Sequence, residues 1–212
     1  MESIYLMHTE IELKLLINKA DIPALMNHPL LNGINSERKS LRNIYLDTPD
    51  LTLVKQKMAF RMRLVDSLWI QTVKGGGKVE GGLHQRNEWE VEVEGEKPDF
   101  EKLAQSPWYS VFTPEVQDAM MPVFETNFWR TTWLLELPRG VVELALDVGE
   151  IQVSNLTEPI CEVELELKSG EPEALFELAE LLNKTVTLQT EDKSKAERGY
   201  ALFAKSKSLK SV

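Results

Sequence analysis

Carboxylates and cations recur along this chain at two-residue spacing. In Glu10-Ile11-Glu12-Leu13-Lys14 the charged side chains alternate with apolar ones, and Glu162-Val163-Glu164-Leu165-Glu166-Leu167-Lys168 repeats the arrangement near the other end. Between them stand Arg61-Met62-Arg63, Lys74, the run from Arg86 through Glu88, Glu90 and Glu92 to Glu94, and Glu143 with Asp147. That period places each charged set on one face of a β-strand. Carboxylates at i and i+2 lie roughly 6–7 Å apart. At an effective dielectric of ~20 such a pair repels by roughly 2–3 kcal/mol, and by less than about 1 kcal/mol when fully solvated.

One strand of this kind is an ordinary half-exposed strand with its charges in water. Most strands sharing the pattern, with acids and bases strongly clustered, fit better if the charged faces converge on a polar lumen. There carboxylates hold cations while arginines and lysines hold an anion. Hard carboxylate oxygens without a Cys or His nearby point to Mg²⁺ or Mn²⁺ rather than zinc. Guanidinium and ammonium groups from several strands suit a phosphate chain. The combination describes metal-assisted phosphoryl chemistry by positioning and charge neutralisation.

The elements needed to position these groups are legible as well. Alternation marks strands over residues 10–15, 59–64, 68–74, 86–94, 141–147 and 161–168, with 42–46 and 128–137 as further candidates. The spacing of Leu175, Leu178 and Leu182 predicts a helix over 171–184, and a second is expected over 195–205, with shorter ones over 21–28, 99–105 and 114–120. The expected fold is mainly β (α+β), an antiparallel barrel or sandwich in a single domain. On the lumen reading the apolar strand faces point outward and the Leu-rich helices cover them. Gly75-Gly76-Gly77 and Gly81-Gly82 are expected as turns near the barrel mouth, and the basic C-terminal end as a frayed tail.

Composition narrows the function further. The 212 residues carry 34 acidic and 24 basic side chains, a formal charge of −10 that disfavours duplex nucleic acid as the primary ligand. No run of ~18–20 apolar residues offers a membrane span, and the first residues lack a basic, then apolar, leader pattern. The single cysteine, Cys161, leaves no internal disulfide framework, so a cytoplasmic setting is expected. His8, His28 and His84 lack zinc spacing and are expected at the surface or in turns. The glycines precede no GK[ST], and no G-x-S-x-G is present.

These residues resemble the CYTH, or triphosphate tunnel metalloenzyme, superfamily. Glu10-Ile-Glu12-Leu-Lys14 is similar to its ExExK signature. Tyr45-Leu-Asp47-Thr48-Pro49, Arg61-Met-Arg63, Thr72-Val-Lys74, Gly82-Leu-His84-Gln-Arg86, Ala145-Leu-Asp147, Glu162-Val-Glu164-Leu-Glu166 and Ser194-Lys195-Ala196-Glu197-Arg198-Gly199-Tyr200 follow in the family's order. The GGLHQR and SKAERGY stretches are particularly similar to bacterial inorganic triphosphatases. The resemblance implies a closed eight-stranded antiparallel tunnel with flanking helices over residues 8–205, a lead-in over 1–7 and a flexible basic tail over 206–212. It also implies hydrolysis of inorganic triphosphate to pyrophosphate and phosphate with Mg²⁺ or Mn²⁺.

By the same resemblance Lys14, Arg61, Arg63, Lys74, Arg86, Arg130 and Lys195 grip the phosphate chain. Glu10, Glu12, Asp147, Glu162 and Glu164 hold metal, and Glu12, Lys74, Glu164 and Lys195 form the catalytic set. Glu88 and Glu90 share the lumen, either as metal ligands or as partners of arginines, and Lys193 competes with Lys195 for its role. Charge reversal of Arg61 or Lys74 is expected to abolish turnover without disturbing the fold. Rivals are an adenylyl cyclase or thiamine triphosphatase on the same fold, a non-catalytic polyphosphate-binding module, and a plain structural β-protein. Many long members of the bacterial branch add a helical CHAD domain. This sequence stops soon after SKAERGYALFAK, as a stand-alone CYTH protein or one domain of a longer chain would. The oligomeric state is open.

Overall fold

The computed structural model describes residues 6–210. Nine strands are formed: β1 (Leu6–Ile17), β2 (Ser36–Asp47), β3 (Met58–Val65), β4 (Leu68–Glu80), β5 (Leu83–Val93), β6 (Met121–Leu137), β7 (Gly140–Val153), β8 (Leu156–Gly170) and the short β9 (Leu188–Thr190). They make one sheet in the order β5-β4-β3-β2-β6-β7-β8-β1-β9, and an additional β5–β1 pairing closes the first eight into a barrel. Every neighbouring pair is antiparallel. Closure removes the sheet edges and gives each long strand one enclosed face.

The enclosed face is the charged one. Outward-facing Leu13, Leu15, Trp133, Leu144, Val163 and Leu165 are buried under Leu175, Leu178 and Leu182 of α5 (Glu173–Leu182). On the other flank Phe60, Met62, Val73, Trp89 and Val91 are covered by Leu53 of α2 (Thr52–Lys55), Leu103 of α3 (Phe100–Leu103) and Phe112. Short α1 (Ile22–Met26) and α4 (Pro114–Ala119) complete the coat. Apolar area removed from water on the outside therefore stabilises the barrel, which leaves its interior free to carry charge.

A third apolar cluster lies inside. Tyr45, Phe124, Phe128, Ile151 and Ile160 pack with Tyr200 and Phe203 of α6 (Lys195–Lys210). By the two-residue period these strand residues share the inward faces of Asn43, Arg130, Asp147 and Glu162, so α6 closes one end of the barrel. The Tyr200 hydroxyl donates to Asp47 Oδ2 at 3.1 Å, and Asp47 also accepts from the backbone N–H groups of Thr48, Leu53 and Val54. The YLDTP stretch thus ties α2 to the closing helix.

Two sequence expectations need correction. Gly75-Gly76-Gly77 does not form the turn: β4 continues through it, with a register shift between Gly75 and Gly77. Gly77 has φ +135°, and a Cβ there would lie 2.2 Å from the Gln85 carbonyl oxygen, so only glycine accommodates the bulge. The turn falls at Gly81-Gly82. The expected tail is helical as far as Lys210, with Ser206 buried; the last two residues lie outside the described region, as do residues 1–5 of the expected lead-in.

Candidate active site

Inward-facing side chains from the barrel strands and α6 surround a cavity of about 320 Å³. β1 contributes Glu10, Glu12 and Lys14, all reaching it from alternate positions. Lys14 Nζ lies 2.9 Å from Glu12 Oε1 and also donates to Glu164 Oε1 across the β1–β8 pairing. Burial pushes the Glu12 carboxyl up to about 7; Lys14 opposes the shift, while Glu10 and Glu164 add to it.

Further cations line the wall formed by β3, β4 and β5. Arg61 donates to Glu88 at 3.0 Å and lies 3.5 Å from Glu90, while the Thr72 hydroxyl holds Glu90 at 2.8 Å. Lys74 sits 2.5 Å from Glu10 and 2.9 Å from Glu88. Glu88 and Glu90 are therefore partners of the basic residues. Arg63 differs: its Nε donates to Asn43 Oδ1 at 2.7 Å, and among the described residues no carboxylate lies within ion-pair reach. Burial lowers its pKa, and the positive charges of Arg61 and Arg130 lower it further, while Glu90 and Glu88 oppose the shift. Arg86 lines the cavity and reaches Glu197 at 3.1 Å.

Asp147, Glu162 and Glu164 converge beneath the cavity. One oxygen from each lies within 4.8 Å of the others, and Asp147 and Glu162 are 0% and 1% exposed. An all-carboxylate set of this kind fits a hard divalent cation. Arg130 makes a bidentate pair with Asp147 at 2.8 and 2.7 Å and donates to Glu164. Burial alone would raise the Glu164 pKa, but Lys14, Lys195 and Arg130 hold it well below the usual carboxylate range.

α6 supplies the remaining contacts, and its first turn is fixed by a capping box. Ser194 Oγ accepts the Glu197 N–H at 3.2 Å and Glu197 Oε2 accepts the Ser194 N–H at 2.8 Å. This sets Lys195 among the three carboxylates and leaves Lys193 exposed. Sequence reasoning did not single out Arg198, which lies in the same SKAERGY stretch and bonds Glu158 at 2.7 Å and Glu162 at 2.8 Å. Helical spacing from Lys195 was its signal. Asn43, Tyr45 and Phe128 also line the cavity, and their residue types carried no signal.

The structure contradicts the expectation that charge reversal at Arg61 or Lys74 would leave the fold undisturbed. An acid at either position would face the carboxylates that now neutralise it, and uncompensated buried charge is costly. His84 is buried within β5, at 1% exposure, rather than at the surface or in a turn, whereas His28 lies in the turn after α1 and is buried there.

His84 Nε2 lies 3.1 Å from the Glu191 carbonyl oxygen, while Nδ1 lacks a partner among the described residues. Burial first, then the charge of Lys14, lowers its pKa from 6.5 to about 4. The unfolded ring gains a proton below pH 6.5 and the folded ring only near 4, so this site loses stability as pH falls across that window. His84→Gln, which keeps a donor for Glu191, is expected to lose less stability than wild type in urea denaturation at pH 7 and pH 4.5. Parallel losses in the two proteins would show that His84 does not carry the effect.

A closed barrel that walls in both a carboxylate cluster and a bank of cations defines a charged β-tunnel protein. Residues 8–200 match the CYTH domain, and the chain belongs to that family. It is 37% identical over 209 residues to an inorganic triphosphatase from Haemophilus influenzae, covering 97% of this chain and 57% of that protein. The chain thus spans a little over half the length of that curated relative. Among solved structures, an adenylyl cyclase candidate from Hippeastrum described as having a dominant triphosphatase activity superposes with a TM-score of 0.66 at 21% identity, over 93% of this chain and 96% of that one. An adenylate cyclase candidate from Bacillus halodurans gives 0.59 at 22% identity, over 91% and 97%. Both share the fold. No helix among the described residues is long and apolar enough to cross a membrane.

Proposed function

We propose that this chain hydrolyses inorganic triphosphate to pyrophosphate and phosphate, using Mg²⁺ or Mn²⁺ held by Asp147, Glu162 and Glu164 with help from Glu10 and Glu12. The observation that carries this reading is Arg63, a half-buried guanidinium that makes no ion pair with a carboxylate among the described residues and lines the same cavity as Glu164 of the acidic cluster. With its Nε taken by the neutral Asn43 and no carboxylate in ion-pair contact, this guanidinium is available to an anion in the cavity. The named activity of the 37% identical relative supports triphosphate as that anion.

Arg61, Arg63, Lys74, Arg86, Arg130, Lys14 and Lys195 bind the chain's oxygens and orient its terminal phosphorus. A divalent cation held by Asp147, Glu162 and Glu164 would supply charge neutralisation and Lewis acidity. Water oxygen forms the new bond to the terminal phosphorus as the P–O bond to the pyrophosphate group breaks. Glu12 lines the cavity between Glu10 and Lys14 of β1 and is the carboxylate placed to take the released proton. A cytoplasmic setting accords with the lone, half-buried thiol of Cys161.

The test is phosphate release from inorganic triphosphate, thiamine triphosphate and ATP, each with Mg²⁺, Mn²⁺ or chelator, beside a cyclic AMP assay. Metal-dependent release that is fastest with inorganic triphosphate is the expected result. Faster thiamine triphosphate turnover, or cyclic AMP formation, transfers the site to the corresponding rival. Tight triphosphate binding without turnover makes it a binding module.

A further inference from the structure

The three carboxylates of the cluster already share one cation. Lys195 Nζ lies 2.6 Å from Asp147 Oδ2, 2.5 Å from Glu162 Oε1 and 2.9 Å from Glu164 Oε1. The arginines take the remaining oxygens of the glutamates: Arg198 donates to Glu162 Oε2 at 2.8 Å, and Arg130 donates to Glu164 Oε2. Rigid guanidinium forks therefore hold these oxygens, Arg130 pairing with Asp147 as well, while Lys14 reaches Glu164 of the three and Lys195 is the ammonium that touches all three carboxylates. A cation drawing one oxygen from each carboxylate must share the space that this ammonium holds. Lys195 also borders the cavity, with Nζ 5.0 Å from the centroid of the Phe128 ring.

We propose that Lys195 is the resident counter-ion of this cluster. A divalent cation enters by exchanging with its ammonium, and the released side chain then serves the phosphate chain in the adjoining cavity. The proposal rests on reading the cluster as a cation site. It couples the two ligands: loading the cation frees a positive charge for the anion, so each promotes binding of the other.

The exchange is tested without triphosphate, by calorimetric titration of the full chain with Mn²⁺ and by electron paramagnetic resonance of the bound ion. Wild type is compared with Lys195→Met and Lys195→Gln. With no Lys195 ammonium to displace, both variants are expected to bind Mn²⁺ roughly 5–150-fold more tightly, the usual range of a coupling between sites. Equal or weaker binding by the variants overturns the exchange while leaving the cation site standing. Absence of Mn²⁺ binding by all three proteins removes the cation site itself, and the exchange with it. A measurement on wild type alone covers a variant that fails to fold: the Lys195 ammonium resonance, slowed in exchange by its three acceptors, is expected in the metal-free protein and lost at saturating Mg²⁺. Its persistence while Mg²⁺ binds would overturn the proposal.

Discussion

Arg63→Gln is expected to lower kcat/KM for triphosphate on the order of 10²–10³-fold, the usual cost of removing one preorganised donor from a site where charge develops. The metal-free protein should keep its fold. Arg63 is half-buried and makes no ion pair among the described residues: Arg61 and Arg130 lie near it, its hydrogen-bond partner is the neutral Asn43, and Glu90 and Glu88 act on it only at longer range. Its lowered pKa means that folding disfavours the charged form, so the charge costs stability whenever it is present, at every pH below that pKa. Glutamine removes the charge and retains an amide donor for Asn43. A thermal melt of the variant should therefore match or exceed that of wild type, and added triphosphate should raise the wild-type Tm more than the variant's. Wild-type KM and an equal triphosphate-induced shift in the variant would show that the anion binds elsewhere.

This separation of roles explains why the sequence was so readable in some regions and opaque in others. Glu10, Glu12 and Lys14, or Glu162, Glu164 and Glu166, announce a charged strand face because a two-residue period is local information. That the face turns inward is not local. It depended on seeing Leu175, Leu178 and Leu182 as cover for the opposite face, and they do cover Leu13, Val163 and Leu165. The glycines at 75–77 misled because a triple glycine reads as a turn, whereas the bulge needs Gly77 to let the β5 backbone approach. His84 misled because nothing in its neighbours signals that α6 and the loop ahead of it fold back over the strand. Pairings across the lumen, such as Arg61 with Glu88 or Arg198 with Glu158, are set by barrel closure and helix docking, so no window of sequence contains them.

Glu164→Gln is expected to fail in both stability and activity, which distinguishes it from Arg63→Gln. The Glu164 carboxylate receives Lys14 and Arg130, lies 2.9 Å from Lys195 and belongs to the acidic cluster. Neutralising it leaves buried cations with less countercharge, a change that costs about 3–5 kcal/mol when one partner of a buried pair is removed. For a chain of this size that is a fall in Tm of roughly 2–4 °C per kcal/mol. Turnover should disappear at every Mg²⁺ or Mn²⁺ concentration, because the cluster has lost one of its three charges. The double variant Glu164→Gln/Lys195→Met removes a cation with the anion, so it should recover part of the lost Tm without recovering activity. A double-mutant cycle in melting experiments reads that coupling directly. Additive losses of stability would mean that Lys195 and Glu164 do not compensate one another, and wild-type turnover in Glu164→Gln would place the cation site elsewhere in the barrel.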